Sequence, residues 1–139
     1  MSKPRSISKL AIAITAVAIL ATGGAALAGS RERVTPVIGT YPDGTPYAYG
    51  AMGSARNRTT PGEEVSCTVY AFSGQQAYGS CYVLDGAGQY AACHTGEAAM
   101  VNMIAGAPSD AYVYFQWNAS GQCTYLSITR ASKYEPKAP

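Results

Sequence analysis

The clearest pair of residues that could do chemistry in this chain is Cys93 followed by His94. A cysteine beside an imidazole can exist as an activated thiolate, which serves as a nucleophile or in thiol redox exchange. The competing interpretation is that Cys93 is oxidised to a disulfide and that His94 only follows it at a strand end. The chain has four cysteines, and an even number in a small exported domain is typical of disulfides. We therefore expect the second interpretation to hold.

Other catalytic or metal-binding patterns are weak. His94 and Glu97 are close in sequence, but a zinc site needs at least three protein ligands and the chain has no second histidine. The eight acidic residues are scattered, so no carboxylate pair for glycoside hydrolysis is recognisable. No Gly-x-Ser-x-Gly motif marks a serine nucleophile. The sequence thus disfavours catalysis and predicts no metal and no cofactor.

Tyrosines are the best candidates for binding. Tyr112 and Tyr114 share one face of a predicted strand, and Tyr70 and Tyr82 occupy similar positions on two others. If exposed, such a row would stack on sugar rings or on a peptide partner. If buried under a helix, it would belong to the core. The core interpretation is the one that the sequence favours.

A second candidate is the polar segment from Gly53 to Arg58, which carries Arg56 and Arg58. Two guanidinium groups on a glycine-containing loop could bind a carboxylate or a sulfate. A solvated loop, or Arg56 held by backbone carbonyls as a structural clamp, would look the same in sequence. We favour the structural interpretation.

The first 28 residues are typical of a signal peptide. Three basic residues precede an apolar run over 10–21, and Ala26-Leu27-Ala28 fits a cleavage site before Gly29. The apolar run is too short to span a membrane comfortably. We therefore expect a secreted or periplasmic protein that keeps no membrane anchor after cleavage.

Cleavage would also change the charge balance. The full chain has ten basic and eight acidic residues, and three of the basic ones lie in the leader, so the mature chain carries seven against eight. Because phosphate recognition needs a clustered cationic surface, nucleic acid is disfavoured as a partner. A carbohydrate or a protein of the cell envelope is the expected class of partner.

The elements that must position these residues are mostly strands. The segment 110–129 alternates on both sides of Asn118-Ala119-Ser120-Gly121, which predicts a hairpin closed by a type I turn and a left-handed glycine. The turn predicts these opposite pairs: Trp117 with Cys123, Phe115 with Tyr125, and Val113 with Ser127. That register places Trp117, Phe115 and Val113 on one face, and Tyr112, Tyr114, Leu126 and Ile128 on the other.

The rest of the chain completes a small α+β fold that is mainly β. Strands are predicted over 65–72, 80–85 and 89–94, and a helix over 97–105. The order β-β-β-α-β-β implies an antiparallel sheet with one helix laid across it. Residues 65–131 would form this domain, with an irregular N-terminal arm at 29–64 and a polar tail at 132–139. Within the arm, Tyr47 and Tyr49 alternate and could form an edge strand.

The cysteines allow three disulfide pairings. The turn at Asp85–Gly88 sets a register in which Cys81 faces Cys93. This favours a Cys81–Cys93 bridge, with Cys67 left to meet Cys123 if the first and last strands are neighbours.

Several of these features together resemble a group of small exported proteobacterial proteins of unknown function with four cysteines. The resemblance rests on Ala55-Arg56-Asn57 upstream of Cys67 and on the hairpin that ends at Cys123. It covers about residues 49–134, and this chain departs from the pattern at Arg58, where those proteins tend to have serine. The resemblance implies an exported, disulfide-bonded domain and assigns no catalytic residue.

The hypothesis that follows is an exported non-catalytic domain with a binding or structural role at the cell surface or in the periplasm. One alternative is a small secreted enzyme or thiol-redox protein that uses Cys93 and His94. Another is a peptidase inhibitor, which would need a rigid exposed loop such as Ser73–Gly79.

Overall fold

The computed structural model of the protein describes residues 31–58, 62–136 and 138. The predicted signal peptide lies outside these residues. The described elements, in chain order, are β1 Val37–Thr40, β2 Pro46–Ala51, α1 Met52–Arg56, β3 Glu64–Tyr70, β4 Tyr78–Leu84, β5 Tyr90–Thr95, α2 Ala98–Ala105, β6 Tyr112–Trp117 and β7 Cys123–Thr129.

The strands form two antiparallel sheets, which confirms the mainly β, α+β class. One sheet has four strands in the order β1-β2-β6-β7, and the other has three in the order β3-β4-β5. The sequence predicted five strands in one sheet and one helix, so the division into two sheets and the short helix α1 are new. The division arises because β6 pairs with β2, far back in the chain, and not with the strands that directly precede it.

The prediction of an irregular N-terminal arm over residues 29–64 was wrong. Residues 37–56 of that arm supply β1, β2 and α1. A turn at Tyr41–Gly44 connects β1 to β2, and in it the Gly44 amide donates to the Tyr41 carbonyl at 2.9 Å. β2 is an inner strand and not an edge strand, since β1 and β6 flank it.

The two sheets pack against each other through their inner faces. The four-stranded sheet contributes Phe115, Val113 and Ala48, which are almost fully buried. Opposite them lie Val83 and Ala91 of the three-stranded sheet. Burial of this apolar surface supplies most of the driving force for folding. The outer face of each sheet lies away from this shared core.

The turn of the β6–β7 hairpin forms as predicted, but the register beyond it does not. Gly121 has a φ of 75°, and Trp117 lies opposite Cys123 as expected. An irregularity then shifts the register by one residue, so that Phe115 pairs with Leu126 and not with Tyr125. A bulge of this kind exchanges the two faces of a strand. Leu126 therefore enters the core, whereas Tyr125 points outward.

The β4–β5 hairpin keeps its predicted register throughout, including Cys81 opposite Cys93. The disulfide preference derived from it was nevertheless wrong. The bridges are Cys67–Cys81 and Cys93–Cys123. Cys81 lies on the central strand and has a neighbour on each side.

Strand geometry explains which neighbour is bonded to Cys81. The Cα atoms of Cys67 and Cys81 are 4.0 Å apart, which is close to the spacing of a non-hydrogen-bonded pair, where side chains approach most closely. Because Cys81 does not bond β3 through its backbone, its backbone N–H and C=O point towards β5. Cys81 and Cys93 then form a hydrogen-bonded pair, in which the two side chains stand farther apart. Cys93 bonds instead across the core to Cys123, and this bridge joins the two sheets.

Helix α2 packs on β3, β4 and β7. The helix confirms the one predicted over 97–105, and it presents an apolar stripe in which Val101 and Ile104 are buried and Met100 packs against the core. The Ile104 side chain lies over Gly79, where an added Cβ would meet its Cδ1 at 2.5 Å. Within the described residues, no helix has the length and apolarity needed to cross a membrane.

Candidate functional site: the tyrosine face

Aromatic side chains cover the outer face of the four-stranded sheet. Residues directly opposite in an antiparallel pair lie on the same face, and the register puts tyrosines of β2, β6 and β7 together on this one. Two further tyrosines reach it from the β1–β2 turn and from the C-terminal segment. We call this surface the tyrosine face; its members are Tyr41, Tyr47, Tyr49, Tyr112, Tyr114, Tyr125 and Tyr134.

The rings of the tyrosine face pack on one another in an ordered array. The rings of Tyr47, Tyr49 and Tyr114 form a triangle, with centroids 6.2 to 6.4 Å apart and planes within 20° of parallel. Tyr47 lies over Gly39, where the absence of a side chain leaves room for the ring. Tyr125 stands edge-on to Tyr114, at 5.7 Å and 73°. These contacts fix the rings before any ligand arrives, which lowers the entropy cost of binding.

A groove of about 320 Å³ runs along the tyrosine face between β6 and β7. Its walls and floor are Tyr112, Tyr114, Gln116, Tyr125 and Ser127. The groove exists because the β7 residues opposite Tyr112 and Tyr114 are small, namely Thr129 and Ser127. Both rings therefore line the groove, and Tyr125 of β7 contacts Tyr114 by its edge.

A hydrogen-bonded chain of neutral groups runs beside the groove. The Gln116 amide donates to the Tyr114 hydroxyl at 2.6 Å, and that hydroxyl bonds the Tyr41 hydroxyl at 3.0 Å. The hydrogen bond to Tyr114 raises the pKa of Tyr41 above its ordinary value. Burial, helped by neighbouring phenols, raises the pKa of Tyr112 to about 12. Both phenols are therefore neutral at physiological pH.

The tyrosine face is also free of formal charge across the sheet. The register places eleven outward positions on the four strands, and every one is a tyrosine or a small or neutral residue. Those positions are Val37, Gly39, Tyr47, Tyr49, Ala51, Tyr112, Tyr114, Gln116, Tyr125, Ser127 and Thr129. An ionic ligand would find no counter-charge there.

The C-terminal segment closes one end of the face. Tyr134 stacks on Tyr112 with centroids 5.2 Å apart, and the same segment passes over α1 at Gly53. A Cβ on Gly53 would lie 3.0 Å from the carbonyl carbon of Glu135 and closer still to its oxygen. Glu135 also pairs with Arg33 at 3.2 Å. The tail that the sequence marked only as polar thus forms part of the site.

The predicted binding tyrosines have mixed outcomes. Tyr112 and Tyr114 do lie together, but on an outer face, so the core interpretation was wrong. Tyr70 and Tyr82, expected at similar positions, lie on the outer face of the other sheet. There Tyr70 stacks on Tyr78 at 4.9 Å, and the Tyr82 hydroxyl donates to Glu64.

Arg56 and Arg58, the candidate anion-binding pair for which the structural interpretation was favoured, lie in different surroundings. The segment that carries them is helix α1 and the turn after it, not a glycine-rich loop. Arg56 is exposed, whereas Arg58 pairs with the nearly buried carboxylate of Glu63 at 3.0 Å. Because that ion pair engages the half-buried Arg58, the two guanidinium groups are not presented together to a ligand.

The structure contradicts a free-thiol chemistry at Cys93. Its sulfur is bonded to Cys123, and the Cys93 side chain is almost fully buried. His94 is exposed beside a small polar cavity of about 220 Å³ that Glu97 and Gln122 also line. The His94 amide donates to the Gly121 carbonyl at 3.0 Å, so the segment ties β5 to the β6–β7 turn.

The segment Ser73–Gly79, named as a possible inhibitory loop, covers most of the β3–β4 connection and the first two residues of β4, and it is mostly exposed. Gln76 donates to the Gly96 carbonyl at 2.8 Å, which fastens one side of this loop. The structure leaves the inhibitor hypothesis untested.

Several site residues were missed from the sequence, above all Tyr47, Tyr49, Tyr125, Gln116 and Ser127. The alternation of Tyr47 and Tyr49 was a signal for a strand, but nothing local identifies β6 as its partner. No known protein family, no curated protein and no solved structure matches this chain.

Proposed function

We propose that this protein is an exported, non-catalytic binding domain that acts at the cell surface or in the periplasm, with the tyrosine face as its contact surface. The export part rests on the leader pattern of residues 1–28 and on the two disulfides, which persist in oxidising compartments. Export is also what the resemblance to small exported proteobacterial proteins implies.

The observation that carries the binding role is the position of seven of the eleven tyrosines on one outer face. Tyr41 and Tyr125 are exposed and the other five are half-buried, and a contiguous aromatic patch at the surface commonly marks an interaction site. Tyrosine offers large contact area with a polar tip at low conformational cost, which suits recognition. Prepacked rings and a groove add the rigidity that binding surfaces need.

Export is tested first by measuring the intact mass of the protein isolated from its native host, with and without reductant. A chain that starts at Gly29 and gains about four hydrogens on reduction supports the proposal. A mass that includes the leader, or one unchanged by reductant, contradicts it.

Binding is tested with the mature protein against an immobilised panel of cell-wall sacculi, neutral and acidic polysaccharides and soluble envelope proteins. The test variant is Tyr114→Ala combined with Tyr125→Ala. The matched control is Tyr90→Ala, which removes a tyrosine that is 65% exposed on the opposite sheet.

We expect retention on at least one panel member to fall about tenfold or more in the double variant, as for loss of central aromatic contacts. The control should behave as wild type. Equal retention of all three proteins across the whole panel would refute the assignment of the tyrosine face.

A further inference from the structure

We propose that the groove between β6 and β7 binds a neutral polysaccharide, with sugar rings against Tyr112 and Tyr114 and sugar hydroxyls held by Gln116 and Ser127. This inference rests on the proposed function and names the ligand class of the same surface.

The shape of the groove suits an extended chain of small rings. At about 320 Å³ it lies at the low end for small-molecule sites, which are deeper and more enclosed. The rings of Tyr112, Tyr114 and Tyr125 line it. From Tyr112 to Gln116 the strand runs about 13 Å, so the groove is elongated and open and is not a closed pocket.

The polar groups of the groove match hydroxyls. Gln116 uses one N–H on the Tyr114 hydroxyl, which leaves its other N–H and its carbonyl oxygen for a ligand. Ser127, at the groove floor, both donates and accepts. Sugar hydroxyls also do both, whereas the carbonyls of a proline-rich peptide only accept. The groove therefore complements a polyol better than an extended peptide.

The charge of the face selects among polysaccharides. None of the eleven outward sheet positions is cationic, and the nearby Lys133 at the edge is paired with Glu32 at 2.9 Å. Uronates and phosphorylated glycans need cationic or helix-terminal partners for their anions. A neutral polysaccharide has no charged group to desolvate, so it can enter an uncharged groove without that cost.

The experiment uses calorimetric titration of the mature protein with four probes: oligomers of glucose, oligomers of N-acetylglucosamine, an oligogalacturonate and a proline-rich peptide. The test variant is Ser127→Phe, which fills the groove and leaves every tyrosine in place. Its matched control is Thr68→Phe, an exposed position on the outer face of the other sheet. Gln116→Ala is the second test variant, and it decides the matter if Ser127→Phe fails to fold.

We expect wild type to bind at least one neutral oligosaccharide, with an affinity that salt does not change because no charges are paired. Ser127→Phe and Gln116→Ala should each weaken this binding about tenfold or more, and Thr68→Phe should leave it unchanged. The oligogalacturonate and the peptide should not bind.

Three results would overturn the inference: no binding of neutral oligosaccharides, preferential binding of the uronate or the peptide, or unaltered binding in both groove variants. If the panel experiment still shows tyrosine-dependent retention on an envelope protein or an acidic polymer, only the ligand class is wrong. If no tyrosine-dependent retention occurs at all, the proposed function itself fails.

Discussion

The register of the β6–β7 hairpin makes opposite predictions for two adjacent side chains. With the bulge, Leu126 is 6% exposed and pairs with Phe115, whereas Tyr125 is 51% exposed on the tyrosine face. Without the bulge, Tyr125 would enter the core and Leu126 would face solvent. The substitutions Leu126→Ala and Tyr125→Ala therefore report directly on which register the protein adopts.

The expected costs follow from burial. Leu126→Ala removes about three buried carbon groups worth roughly 0.8 kcal/mol each and leaves a cavity, so the free energy of unfolding should fall by about 3 kcal/mol. Tyr125→Ala loses mainly the edge-on contact with Tyr114, which is worth about 1 kcal/mol or less. Against a total of about 5–15 kcal/mol for a domain, the difference is readily measured.

The assay is equilibrium urea unfolding with both disulfides intact, monitored by circular dichroism. We expect the midpoint for Leu126→Ala to fall by about 1–3 M, and that for Tyr125→Ala to move much less. The reverse order would refute the bulged register. It would also remove Tyr125 from the tyrosine face and, with it, one end of the groove.

Three further predictions concern the bridges, the C-terminal segment and the phenols. Replacing Cys93 and Cys123 by alanine opens a loop of 30 residues and should lower the free energy of unfolding by about 3.5 kcal/mol through chain entropy. Peptide mapping of the oxidised wild type should recover the Cys93–Cys123 bridge and no bridge between β4 and β5. Gly53→Ala should displace the segment at Glu135, which limited proteolysis would reveal as faster cleavage of the C-terminus, with an unchanged rate arguing against this close approach. In ultraviolet titration, the difference between wild type and Tyr112→Phe should have its midpoint near pH 12, and a midpoint near 10 would contradict the burial of Tyr112. Because the pKa of Tyr112 is raised in the folded protein, the stability that its phenol contributes should be complete below about pH 10. That stability should disappear as the pH rises through 12.

The candidate site could be predicted in part. Tyr112 and Tyr114 were identified because strict alternation assigns side chains to faces within one strand. Tyr47 and Tyr49 were seen to alternate, yet their place beside β6 depends on a pairing between distant parts of the chain. Burial of the tyrosines was predicted wrongly because the helix that was expected to cover them packs on β3, β4 and β7 instead.

What the sequence alone determined was local: the turns, the hairpins they close, the register of β4 with β5 and the mainly β class. Turn chemistry acts over a few residues, so Gly121 and the Asp85–Gly88 turn specify their conformations without help from the rest of the chain. The tertiary structure decided which strands share a sheet, which cysteines meet and which face of β7 is buried. Those outcomes depend on packing between segments far apart in the chain, where one bulge or one neighbouring strand changes every contact that follows.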